Sequence, residues 1–150
     1  MNKTFDTTVI IKGILEPRRK KQDAIFKEQW RVHKIASSML ENVYNKNDRL
    51  FIPMVALVEI AAVASRLTGN GDTGKKNADF IKNISRIIGE NELADEAFSI
   101  AAETKVSGFD SVFIACAKIT DSMLITDDKK MHEAAVKSGV KSKLLRDMSA

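Results

Sequence analysis

A chain of 150 residues, 44% hydrophobic and 29% charged, carries enough apolar surface for a core, which excludes a disordered chain. Its longest apolar run, Met54–Ala64, is broken by Glu59 and falls far short of the ~20 residues that span a bilayer, while Asp6 interrupts what would be the apolar part of an N-terminal leader. One cysteine, Cys116, excludes an intramolecular disulfide, and the net charge of +4 gains meaning only from its distribution.

From the N-terminus, Thr4–Ile11 reads as an apolar, β-branched first strand running into a short helix before Pro17. Arg18, Arg19, Lys20 and Lys21 form a basic run; Lys141, Lys143 and Arg146 crowd the C-terminus. Such clusters attract polyanions or simply solvate a helix start, and the residues leave both open. From Arg18 to about Asn45, Ile25, Phe26, Trp30, Ile35, Met39, Leu40 and Val43 recur at the three- and four-residue spacing of an amphipathic helix. Leu50–Pro53 is a short buried strand and Met54–Leu67 a helix. The loop Gly69–Gly74, with Lys75 and Lys76, imitates the phosphate-binding loop G-x4-G-K-[ST]. Lys76 stands where magnesium would need Ser or Thr, and a helix precedes it instead of a strand, so it reads as a flexible connection. Helices follow over Lys75–Ile88 and Leu93–Thr104, with a strand expected between Arg86 and Leu93. Then come a helix Asp110–Ile119, a strand Ser122–Thr126, a helix Asp128–Ser138 ending at Gly139, and an edge strand Val140–Leu145. This alternation predicts an α/β chain, one domain over 1–150, with a mostly parallel sheet of four or five strands in a three-layer α/β/α arrangement.

Four acids stand out within that frame: Asp6, Glu59, Asp110 and Asp128. Asp6 lies among residues that suit a buried strand, where an unpartnered carboxylate is costly; it either caps the next helix or serves a site at the strand's C-terminal end. Glu59 sits in MVALVEIAAVASR, whose apolar neighbours predict a helix buried nearly all round. Glutamate is seldom buried there unless ion-paired or coordinating, and a functional carboxylate is the favoured reading. Asp110 precedes VFIACA, and Asp127 and Asp128 open a helix after a strand, places where an N-cap is the default. In a parallel sheet all of these positions fall at the carboxyl edge of the strands. Acids converging there repel one another, and a hard divalent cation, Mg²⁺ or Mn²⁺, is the natural remedy.

These segments resemble the PIN-domain ribonucleases, and within them the VapC-like toxins of toxin–antitoxin systems. Asp6-Thr7-Thr8-Val9-Ile10 is similar to the family's D-[ST]-x-[VI]-[LI] element, and Pro53–Glu59 to its P-x4–5-E element. Phe109–Ala115 resembles D-[AS]-x-[LIF]-x-A, and Leu124–Met131 resembles [LI]-[LIV]-T-x-D-x-x-[FLM]. The resemblance implies a PIN-like fold in which Asp6, Asp110 and Asp128 hold the metal and Glu59 completes the acidic cluster. It implies that Thr126 orients a carboxylate or a water, with Thr7 and Asp127 in support; Asp127 is a substitute for Asp128, not an extra ligand. The segment Pro17–Asn47 is longer and more basic at its start than is usual in VapC-like chains.

The implied chemistry is metal-assisted hydrolysis of RNA phosphodiester bonds, leaving 5′-phosphate and 3′-hydroxyl ends, in a cytoplasmic protein without a membrane partner. A homodimer and a small antitoxin are the partners the resemblance implies. His33 and His132 read as surface or packing residues and Cys116 as a small core residue. An aspartyl phosphatase is disfavoured, because Thr8 stands where a second aspartate is wanted, and a receiver domain lacks its adjacent acids. The alternative is a PIN-like RNA- or protein-binding module without catalysis.

Overall fold

In a computed structural model, which describes residues 1–149, strand β1 (Asn2–Phe5) ends where Asp6 turns the chain into helix α1 (Thr7–Ile14). The β-branched residues Val9, Ile10 and Ile11, expected in the strand, are helical instead. The Asp6 carboxylate caps their first turn and all three are buried, so capping and tertiary packing override local preference. Helix α2 (Ala24–Tyr44) starts later than expected. Asp23 caps it, so the basic run 18–21 lies outside the helix, and the buried stripe is Val32, Ile35, Ala36, Met39, Leu40 and Val43.

Strand β2 (Arg49–Pro53) leads into α3 (Met54–Thr68), and the expected loop after it shrinks to Gly69 and Asn70. Helix α4 (Gly71–Ile84) takes in Gly74, whose missing Cβ lets α4 approach the Ala61 carbonyl and the Ser65 side chain on α3. The supposed flexible connection is therefore a tight helix–helix contact. Strand β3 (Ser85–Ile88) replaces the last turn expected of that helix, ahead of α5 (Glu90–Thr104) and α6 (Gly108–Ile119). The chain ends in β4 (Met123–Thr126), α7 (Lys129–Lys137), β5 (Ser142–Leu144) and a 3-10 turn, Leu145–Asp147.

The sheet has five strands, all parallel, in the order β3-β2-β1-β4-β5. β1 pairs with β4 in the register Thr4 to Leu124 and Phe5 to Ile125, and Asp6 N–H extends the ladder to Ile125 O at 3.1 Å. α1 packs on α2 and α3, and α3 on α4; α6 packs on α5 and α7, which places helices on both faces. The core runs through the sheet as Phe5, Leu50, Ile52, Leu124 and Ile125, with Ile10, Ile60 and Phe113 from the helices. Connections from β1 and β4 leave in opposite directions, so the gap between their carboxyl ends is the topological switch point, where open α/β sheets bind ligands. Among the described residues no helix is long and apolar enough to cross a membrane.

Candidate active site

The switch point is occupied by acids. Asp6, at the end of β1, is buried with 4% of its surface exposed. Its Oδ1 accepts the Val9 N–H at 2.8 Å and its Oδ2 accepts the hydroxyl of Thr126, which is fully buried at the end of the neighbouring strand β4. Burial pushes the Asp6 carboxyl above the usual range; the hydrogen bonds from Thr126, Val9 and the Asp127 N–H oppose that, and the Asp127 charge adds to it. Asp6 is both helix cap and switch-point carboxylate, so the two readings of it describe one residue.

Thr126 works in two directions. While donating to Asp6, its Oγ1 accepts the Asp128 N–H at 3.0 Å. Asp128 caps α7 through the Met131 N–H at 3.1 Å, and its side chain stands in solvent. Asp110 is not the cap of its helix: Ser107 is, accepting the Asp110 N–H at 3.1 Å. The Asp110 carboxylate, half-buried in the first turn of α6, is thus left for another task. Burial and then the nearby Asp128 charge push it upward, against the hydrogen bond with Ser107. Two acids from different elements therefore already repel each other at this edge.

Glu59 needs a correction of its premise. Helix α3 is not buried all round: Val58 is 61% and Met54 49% exposed, and Glu59 is half-buried. Among the described residues no cation forms an ion pair with it. Asp127 turns away from the other acids. Its Oδ2 pairs with Lys12 Nζ of α1 and its Oδ1 accepts Arg146 Nε at 3.1 Å. Burial alone would raise it, but Lys12 and then Arg146 hold it below the usual carboxylate range. Thr7 is buried, and among the described residues its Oγ1 has no hydrogen-bond partner.

Lys12, Arg146 and Ser107 were not legible as site neighbours. Only Ser107, three residues before Asp110, left a local signal. Glu90 is a further addition at this edge, accepting the Val55 N–H at 2.9 Å and so anchoring the start of α3.

A divalent cation suits the chemistry of these donors: hard carboxylate oxygens, one raised by burial, two repelling each other, and an orphaned buried hydroxyl next to Asp6. Among the described residues, however, no three His, Cys, Asp or Glu side chains close to coordination distance of one point.

Residues 3–137 match the PIN domain family. The chain belongs to that family. PIN domains are generally nucleases, which supports hydrolase activity here. The fold of this PIN domain is similar to that of VapBC2 from Rickettsia felis bound to a DNA fragment from its promoter. The TM-score is 0.65 with 13% identity, over 96% of this chain and 98% of that one. It is also similar to VapBC-1 from nontypeable Haemophilus influenzae, with a TM-score of 0.61 and 18% identity over 97% and 98% of the two chains. A toxin–antitoxin complex from Klebsiella pneumoniae gives a TM-score of 0.59 and 19% identity, over 85% and 88%. Among curated proteins no sequence matches.

Proposed function

We propose that this PIN domain, a single nuclease domain over 1–150, is a metal-dependent endoribonuclease and the toxin of a toxin–antitoxin pair in the cytoplasm. The observation that carries the reading is the linkage at the switch point: one hydroxyl, that of Thr126, donates to the Asp6 carboxylate and accepts the backbone N–H of Asp128. In this reading Asp6, Asp110 and Asp128 would hold Mg²⁺ or Mn²⁺, and Glu59 would complete the acidic set. When bound, such a cation lowers the pKa of an attacking water and stabilises charge on the phosphate.

The chain supplies the positioning. The Val9 N–H and the Thr126 hydroxyl fix both oxygens of Asp6, and burial keeps bulk water from it. The Asp128 N–H on Thr126 aligns the second acid with the first. Among the described residues neither Cys116 nor either histidine is placed to be a nucleophile. Cys116 is buried with its thiol pushed up to about 12 by burial. His33 Nδ1 is engaged with the Lys12 carbonyl at 2.6 Å and His132 Nδ1 with Ser142 Oγ at 2.8 Å.

Likeness of fold to toxin–antitoxin complexes supports an antitoxin partner. A groove of about 570 Å³ beside Asp127, walled by Ile11, Leu15 and Val32, offers a surface for a segment of it. A homodimer belongs to the same reading and is checked by analytical ultracentrifugation.

Labelled RNA incubated with the purified protein and Mn²⁺ tests the activity. Outer-shell changes at metal sites already cost about 10–100-fold, so Asp6→Asn is expected to lose at least about a hundredfold. Wild-type protein that binds RNA without cleaving it, in either metal, would instead identify a non-catalytic binding module.

A further inference from the structure

Asp127 lies between the residue that bridges to Asp6 and the residue that caps α7, yet its own side chain faces elsewhere. It is gripped from two sides: by Lys12 on α1, and by Arg146 in the terminal 3-10 turn. Arg146 holds it twice, because its Nη2 also donates to the Asp127 carbonyl. The grip has its own supports on α2. Arg31 donates to the Arg146 carbonyl at 2.6 Å and to the Met148 carbonyl at 2.8 Å, while Glu28 holds the same guanidinium at 2.6 and 2.9 Å. His33 Nδ1 donates to the carbonyl of Lys12 itself.

The geometry points to a clasp: Lys12 and Arg146, acting through Asp127, hold the 126–128 loop so that the Thr126 hydroxyl and the Asp128 carboxylate stay in register with Asp6. Lys12 and Arg146 are positioning residues in this scheme, and neither reaches the scissile phosphate through it. The scheme deepens the nuclease reading and rests on it for its purpose, though not for its geometry. The backbone of this loop is anchored by the Asp127 N–H on Asp6, the Asp128 N–H on Thr126 and the Asp128 cap, and among the described residues the two cations alone grip the Asp127 side chain. Asp127 and Asp128 follow the last residue of β4 and precede the first of α7, so neither lies within a regular element. Misplacing reacting groups by about 1 Å costs on the order of a hundredfold in rate, so a loop carrying two site residues gains from being pinned at both faces. Either cation alone leaves Asp127 paired, so single variants weaken the clasp and the double variant opens it.

Arg146→Gln and Lys12→Met keep the aliphatic stems of half-exposed side chains, and the double variant is the decisive one. Two readouts are needed: hydrogen exchange at the Asp127 and Asp128 amides by NMR in metal-free protein, and Mn²⁺ dependence of RNA cleavage. The double variant is expected to exchange at those amides about tenfold faster or more, with the core strands unchanged. It is expected to need more Mn²⁺ for half-maximal rate and to lose about 10–100-fold in kcat, while KM for RNA changes little. Arg146→Lys should recover part of both. Unchanged exchange in the double variant overturns the clasp, even if RNA cleavage falls. If wild-type protein neither cleaves RNA nor binds Mn²⁺, the nuclease reading fails, and the exchange data alone then decide the clasp.

Discussion

Thr126, at the end of β4, donates its hydroxyl proton to Asp6, at the end of β1, and the two residues are 120 positions apart in the chain. Both are buried, so the bond joins two strands at the one place where the sheet reverses its order. Thr126→Val keeps the shape but leaves Asp6 Oδ2 and the Asp128 N–H without their partner. Leaving a buried polar group unsatisfied costs about 1–3 kcal/mol, so urea denaturation should show a loss of that order. Thr126→Ser should recover most of it, and RNA cleavage should follow the same order.

Asp6 itself should oppose folding when no cation is present. Its folded-state pKa is raised, chiefly by burial, so the ionised form is disfavoured in the folded chain. The destabilisation is present above the folded-state value and fades as pH falls through it. Asp6→Asn removes the charge but keeps an oxygen for the Val9 N–H. In chelator at about pH 8 the variant should therefore melt above wild type, with the gap narrowing toward about pH 4. Saturating Mn²⁺ should reverse the order, because only wild type gains from binding. A variant less stable than wild type in chelator would show that the Asp6 charge is satisfied by the protein alone.

Periodicity and turn chemistry carried most of the fold. The alternation of strands and helices was legible where a short apolar strand precedes a longer helical run, as in Leu50–Pro53 followed by Met54–Thr68 and in Met123–Thr126 followed by Lys129–Lys137. Boundaries failed where long-range contacts decide. Val9–Ile11 favour a strand locally, but the Asp6 cap and burial make them helical. Gly71–Gly74 has loop composition, but α3 needs a close neighbour there. Asp6 and Asp128 were readable as strand-end acids. The role of Asp127 was not, because Lys12 lies 115 residues away and Arg146 lies 19 away, with no local pattern linking them. The case for Glu59 rested on an enclosing apolar helix, and Met54 and Val58 prove to be exposed.

The loop between α1 and α2 should make stability depend on pH in the acid range. Arg19 grips both oxygens of Asp23 at 2.9 and 2.5 Å, and Asp23 also caps α2 through the Phe26 N–H at 3.0 Å. Arg19 first, and then that cap, hold the Asp23 carboxyl far below the usual range. A depressed folded-state pKa adds stability above the ordinary carboxylate value of about 3.9, and that stability is lost as pH falls through the folded value. Asp23→Asn keeps a capping oxygen but no charge. Its Tm should lie below that of wild type at neutral pH and approach it below about pH 3. Solvent screening keeps the difference small, and 1 M salt should reduce it further.

Gly74 and Gly71 lie in the same helix and should respond in opposite directions to alanine. A helical Gly→Ala change ordinarily gains up to about 1 kcal/mol. At Gly71 a Cβ meets nothing within 4 Å, so Gly71→Ala should realise part of that gain. At Gly74 a Cβ would overlap Ser65 Oγ and the Ala61 carbonyl on α3. The Ser65 side chain can turn aside, but the Ala61 backbone cannot move without shifting the helix that carries Glu59. Overpacking of this kind costs about 1–3 kcal/mol, which exceeds the helical gain. Urea midpoints should therefore rise for Gly71→Ala and fall for Gly74→Ala. Adding Ser65→Gly to Gly74→Ala should restore only part of the loss, because the carbonyl clash persists.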